Sequence, residues 1–75
     1  MTAQQWAAAA LAYKASYHAI QAAGYERLSR QPGFESQRAR FARKADGHDR
    51  QAKRFLAKLR RLDAQIARAK RKAAK

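Results

Sequence analysis

The sequence predicts an all-α fold: a helical hairpin with a short N-terminal helix and a long, basic, coiled-coil-like C-terminal helix. Three observations carry that reading. Of the 75 residues, 20 are alanine and none is valine, and the only β-branched residues are Thr2, Ile20 and Ile66. Alanine, arginine, lysine, glutamine and leucine are strong helix formers, whereas strands draw on the residue types that are scarce here. Two long stretches carry apolar residues at helical spacing, and the Pro32-Gly33 pair between them is the strongest turn signal in the chain. At this length one unit is expected, spanning residues 1–75.

The first helix is expected at about residues 3–23. Thr2 suits the N-cap, and Gln5 three residues on completes a capping box. Gly24 stands where a glycine often closes a helix. Trp6, Ala10, Tyr13, Tyr17, Ile20 and Gly24 recur at alternating spacings of four and three, the repeat of a coiled-coil seam. They are the expected inward stripe of this helix. A turn at about residues 24–33 follows, in which Pro32 disfavours helical geometry at Gln31.

The second helix is expected at about residues 34–72. Phe34, Phe41, His48, Phe55, Leu62 and Ala69 are spaced by seven, and Arg38, Ala45, Ala52, Leu59, Ile66 and Ala73 follow four residues behind each. Such a sustained heptad repeat marks one seam, out of character only at Arg38 and His48. Gly47 lies inside the repeat without shifting its phase, so a continuous helix with a soft spot is expected.

Charge carries the functional information. Lysine and arginine total 18 against 5 carboxylates, for a net charge of +13 and a pI near 11.4. On the heptad wheel of the second helix, three adjacent positions hold Arg43, Arg50 and Arg71; Arg40, Arg54, Arg61, Arg68 and Lys75; and Lys44, Lys58 and Lys72. This face contains no acid. Elsewhere on the helix, Arg38, Lys53, Arg60 and Lys70 are balanced by Glu35, Asp46, Asp49 and Asp63. Like charges at i and i+4 repel by a few tenths of a kcal/mol, so a solvated helix ordinarily mixes the signs. A uniform cationic face is strengthened when a polyanion neutralises it. The expected partner is therefore nucleic acid, DNA or RNA, held by its phosphates with weak sequence preference. Arg40, Arg43, Lys44, Arg50, Arg54, Lys58, Arg61, Arg68, Arg71 and Lys72 are the expected binding residues.

A turn at 24–33 leaves the far half of the second helix bare. Counting out from it places Trp6 across from about residue 51 and His18 across from about residue 39, well short of His48. Trp6, Tyr13 and Tyr17 would then pack on the small Ala45 and Ala52, while Phe55, Leu56, Leu59, Leu62 and Ile66 lack cover. Those five form an expected protein interface, for a homodimer or for docking as a structural subunit of a larger assembly, a virus particle or a ribonucleoprotein. Tyr25, off both seams, is the aromatic expected to be exposed.

No catalytic set is visible: no nucleophile with a base, no phosphate-binding glycine loop, no paired carboxylates. A non-enzymatic protein without cofactor or small-molecule substrate is expected. No metal site is expected either, since there are no cysteines and the two histidines count out apart. The apolar run from Trp6 to Tyr13 has no basic region before it and is too short for a bilayer span, so secretion through a recognisable signal and membrane binding are not expected. A cytoplasmic place, or one inside a nucleoprotein or viral particle, fits these features.

Overall fold

In the computed structural model, which describes residues 1–74, the chain is a hairpin of two antiparallel-running helices, α1 (Ala3–Arg30) and α2 (Arg38–Ala73). A short 3-10 turn, Glu35–Gln37, leads into α2. The molecule measures 61 × 17 × 13 Å, a narrow plate two helices wide.

The start of α1 is fixed locally. Thr2 Oγ1 accepts the Gln5 backbone N–H at 3.2 Å, and Gln5 Oε1 accepts the Thr2 N–H at 2.8 Å, so the capping box forms in full. The helix does not stop at Gly24. It continues seven residues past the expected end, to Arg30. A helical glycine costs about 1 kcal/mol relative to alanine, and the added turns offset this by half-burying Tyr25 and Leu28 against α2. Arg30 also pairs with Glu26 at 2.7 Å, and Arg27 and Arg30 place cations at the negative end of the helix dipole.

Proline ends the helix instead. Gln31, just before Pro32, is extended (φ −77°, ψ 133°), as the ring of a following proline requires. Gly33 reverses the chain at φ +94°, a conformation that side chains with a Cβ resist. The Glu35 carboxylate then accepts the Gly33 N–H at 3.1 and 3.2 Å. Hydrogen bonds from its own backbone N–H and from Gly33 hold the Glu35 carboxyl below the usual carboxylate range, with the Arg38 charge adding to the shift. Arg38 Nε donates to the Ser29 carbonyl at 2.9 Å and ties the two arms together.

From Arg38 the second helix runs unbroken to Ala73, through Gly47. Its seam lies as the heptads predict. Phe41, Ala45, His48, Ala52, Phe55, Leu59, Leu62 and Ile66 all turn towards α1 and are buried or half-buried.

The inward face of α1 differs from the expected one. Ala8, Leu11, Ala12, Ala15, His18, Ala22, Tyr25 and Leu28 face α2. The bulky stripe points to solvent: Trp6 is 64% exposed, Tyr13 74%, Tyr17 48% and Ile20 69%. Packing explains the inversion. The α2 seam already supplies Phe41, His48 and Phe55, and the layer has room for a row that alternates stacked rings, His18 and Tyr25, with alanines rather than for the four bulky residues of the other stripe. The alanines let the backbones approach, and the two tightest positions, Ala15 (3% exposed) and Ala52 (5%), are both alanine. Trp6 and Tyr13 therefore point away from the α2 seam, and Tyr17 reaches it only through an edge-on contact with His48 at 6.4 Å.

Moving the turn also shifts the register. His18 meets His48 and Tyr25 meets Phe41, which puts Trp6 at the level of about residue 60 rather than 51. Consequently α1 covers α2 to about residue 63. Phe55, Leu59, Leu62 and Ile66 are half-buried, and Leu56 alone of the five expected interface residues stays exposed, at 42%. No helix among the described residues is long and apolar enough to cross a membrane.

Candidate nucleic-acid interface

The cationic face predicted from the heptads is carried by α2, on the side turned away from α1. All ten expected residues, from Arg40 to Lys72, are exposed. Lys75, the eleventh cation of that face, lies outside the described residues. Fourteen of the chain's 18 basic residues fall within α2, together with three of its five carboxylates. From Arg40 to Arg68 the face extends about 42 Å at 1.5 Å per residue.

Little on this face is compensated. Among the described residues Arg50 alone of the ten forms an ion pair, with Asp46 at 2.9 Å. Asp49 engages Lys53 at 2.9 Å, off the face. Exposed pairs of this kind contribute about 0–1 kcal/mol. Two lysines on the flank rest on aromatic rings: Lys44 Nζ lies 5.4 Å from the Tyr25 centroid and Lys58 Nζ 5.7 Å from that of Phe55. Both lysines remain exposed as residues. Arg40, Arg43, Arg54, Arg61, Arg68, Arg71 and Lys72 make no ion pair among the described residues and present their charge to solvent.

The opposite side of the plate has another character. Between Met1 and Tyr25 the one charged side chain is Lys14, and its ammonium sits 5.6 Å from the Phe55 ring at the interface. Thus the molecule has two unlike outer faces, cationic on α2 and aromatic on α1. Sequence alone does not mark the α1 face as a surface, because its coiled-coil spacing reads equally well as a core stripe.

The histidines, counted apart from the sequence, come together. His18 Nδ1 and His48 Nδ1 are 2.8 Å apart, a hydrogen bond in which one ring donates and the other offers its lone pair. Tyr25 stacks on His48 at 5.7 Å and Phe55 on His18 at 5.6 Å. Tyr25 also stacks on Phe41, so it is half-buried rather than exposed. Among the described residues no group of three or more His, Cys, Asp or Glu side chains is placed to hold a metal ion. The pair is a polar contact inside an otherwise apolar seam, which fixes the register of α1 on α2 because any slip leaves both rings unpaired.

Comparison with family models, curated proteins and solved structures finds no match. Function is therefore argued from the two faces themselves.

Proposed function

We propose that this protein binds nucleic acid through the outward face of α2, gripping the phosphate backbone with weak sequence preference and catalysing no reaction. One observation carries the reading: a cationic face about 42 Å long whose ten charges are exposed and, save for Arg50, unpaired among the described residues. Holding such charges side by side is unfavourable alone, and an array of phosphates removes that cost while releasing condensed counterions. Arginine predominates, and its planar fork donates two parallel hydrogen bonds to a phosphate.

The test is a titration of nuclease-treated protein with duplex and single-stranded oligonucleotides across salt concentrations. Six to ten phosphate contacts lower affinity by about 10³–10⁵ between 50 and 200 mM salt. A flat salt response, or no binding at 50 mM, rejects the proposal. A structural subunit of a larger assembly is the second reading. The covered seam of α2 withdraws the reason to place its docking surface at Phe55, Leu59, Leu62 and Ile66, and the aromatic face of α1 is what supports it.

A further inference from the structure

Apart from Tyr17, whose ring meets His48 edge-on at 6.4 Å, the large residues on the outward face of α1 are left to solvent among the described residues, yet the face is built as a helix-pairing seam. Trp6, Ala10, Tyr13, Tyr17, Ile20 and Gly24 alternate by four and three along about 27 Å of helix, and the four large members are exposed. Their order is self-complementary. If a second copy of α1 is laid antiparallel so that facing positions sum to thirty, Trp6 faces Gly24, Ala10 faces Ile20, and Tyr13 faces Tyr17. Each of the two largest aliphatic or indole groups meets one of the two smallest residues, and the two tyrosines meet across the two-fold axis. Gly24 gains a reason it lacks in the monomer, where a Cβ at that position would meet nothing within 4 Å.

We propose that the protein forms an antiparallel two-fold dimer through this face of α1. Charge selects the occupant. The seam itself carries no ionised group, so pairing two copies here brings together their least charged surfaces and leaves the cationic faces of α2 on opposite outer sides, as far apart as the plate allows. A bilayer suits this face poorly, because lipid contacting Trp6 and Tyr13 would find the cationic face turned away from its headgroups. The area is sufficient: the exposed parts of Trp6, Tyr13, Tyr17 and Ile20 come to roughly 500 Å² per copy. Two copies therefore bury about 1,000 Å², the threshold for a specific interface.

The dimer stands independently of nucleic-acid binding and is tested without it. Nuclease-treated full-length protein in high salt is sedimented over a concentration series, with the emission of Trp6, the one tryptophan, followed in parallel. The expected result is a mass approaching twice 8.5 kDa, with Trp6 emission shifting to shorter wavelength as the dimer forms. Ile20→Lys and Gly24→Leu should each weaken association at least tenfold while helix content, read by circular dichroism, is retained. Orientation is read from cysteines: Trp6→Cys mixed with Gly24→Cys should crosslink to each other and not to themselves. A monomer at every concentration with water-exposed Trp6 overturns the proposal, as does a dimer indifferent to Ile20→Lys. Self-crosslinking of Trp6→Cys overturns the antiparallel arrangement.

Discussion

In α2 the bulky apolar residues turn inward and the charges outward; in α1 a mixed row of Ala8, Leu11, Ala12, Ala15, His18, Ala22, Tyr25 and Leu28 turns inward, and Trp6, Tyr13, Tyr17 and Ile20 turn outward. Both helices use the same seven-residue spacing, so periodicity alone does not say which stripe is buried. What decides it is the partner. With Phe41, His48 and Phe55 in the shared layer, α1 contributes flat rings that stack on them, His18 and Tyr25, and alanines between, with Ala15 at the closest approach. A helix can carry two seams, and the one with less hydrophobic mass is buried when its neighbour supplies the volume.

The largest effect is expected where the faces differ most in charge. Arg54→Glu, Arg61→Glu and Arg68→Glu together should reduce nucleic-acid affinity at least a hundredfold, about 3 kcal/mol, because three phosphate contacts become repulsive. The same three changes should leave the helical circular-dichroism spectrum intact, since all three side chains are exposed. Equal binding by the triple variant would remove this face from the function.

Next comes the alanine contact. Ala52→Leu forces methylenes into one of the two tightest positions of the hairpin and should cost roughly 1–3 kcal/mol in urea unfolding. Replacing an outward residue of α1 by leucine, as in Tyr13→Leu, should change monomer stability by less than about 0.5 kcal/mol. If the two substitutions cost the same, the inversion of α1 is wrong.

The histidine pair sharpens the register. His18→Leu or His48→Leu alone leaves one imidazole without its partner and should destabilise by about 1 kcal/mol, whereas the double variant should recover most of that loss. Additive losses in the double-mutant cycle would mean that the rings do not interact. A smaller gain is expected at Gly47, where a Cβ meets nothing within 4 Å: Gly47→Ala should stabilise by about 0.5–1 kcal/mol. At the turn, the lowered Glu35 pKa implies stability that is present above the usual carboxylate range and lost as pH falls through the shifted value. The Gly33 amide resonance should report this, titrating at a lower pH than an ordinary glutamate would give; a titration at the usual glutamate pH counts against the hydrogen bond.

Much of α2 was legible in the sequence because its two faces differ in both size and charge: phenylalanines and leucines at one phase, arginines at another. The cationic face needed no tertiary information. The hairpin and its Pro32-Gly33 reversal were legible for a similar reason, since proline acts through local sterics. By contrast, α1 offered two candidate stripes and only one conspicuous one. Leu11, Ala15 and His18 are a modest seam on any hydropathy scale, and they become a core only against the particular residues of α2. Gly24 misled for a related reason: its cost as a helix interior is local, while the burial of Tyr25 and Leu28 that offsets it depends on the finished hairpin. From that single displacement of the turn follow the coverage of Phe55 to Ile66, the meeting of the histidines and the shielding of Tyr25.

The plate is 17 × 13 Å across its two short axes, thicker than the distance of about 8 Å over which physiological salt screens a charge. A polyanion drifting towards the aromatic side is therefore nearly blind to the charge on the far side, while one drifting towards α2 feels it fully. For a protein that binds nucleic acid as proposed, encounters would be sorted by orientation before any contact forms, with only the approach to α2 accelerated. In dilute salt, where screening reaches about 30 Å, that sorting fades and capture from every direction speeds up.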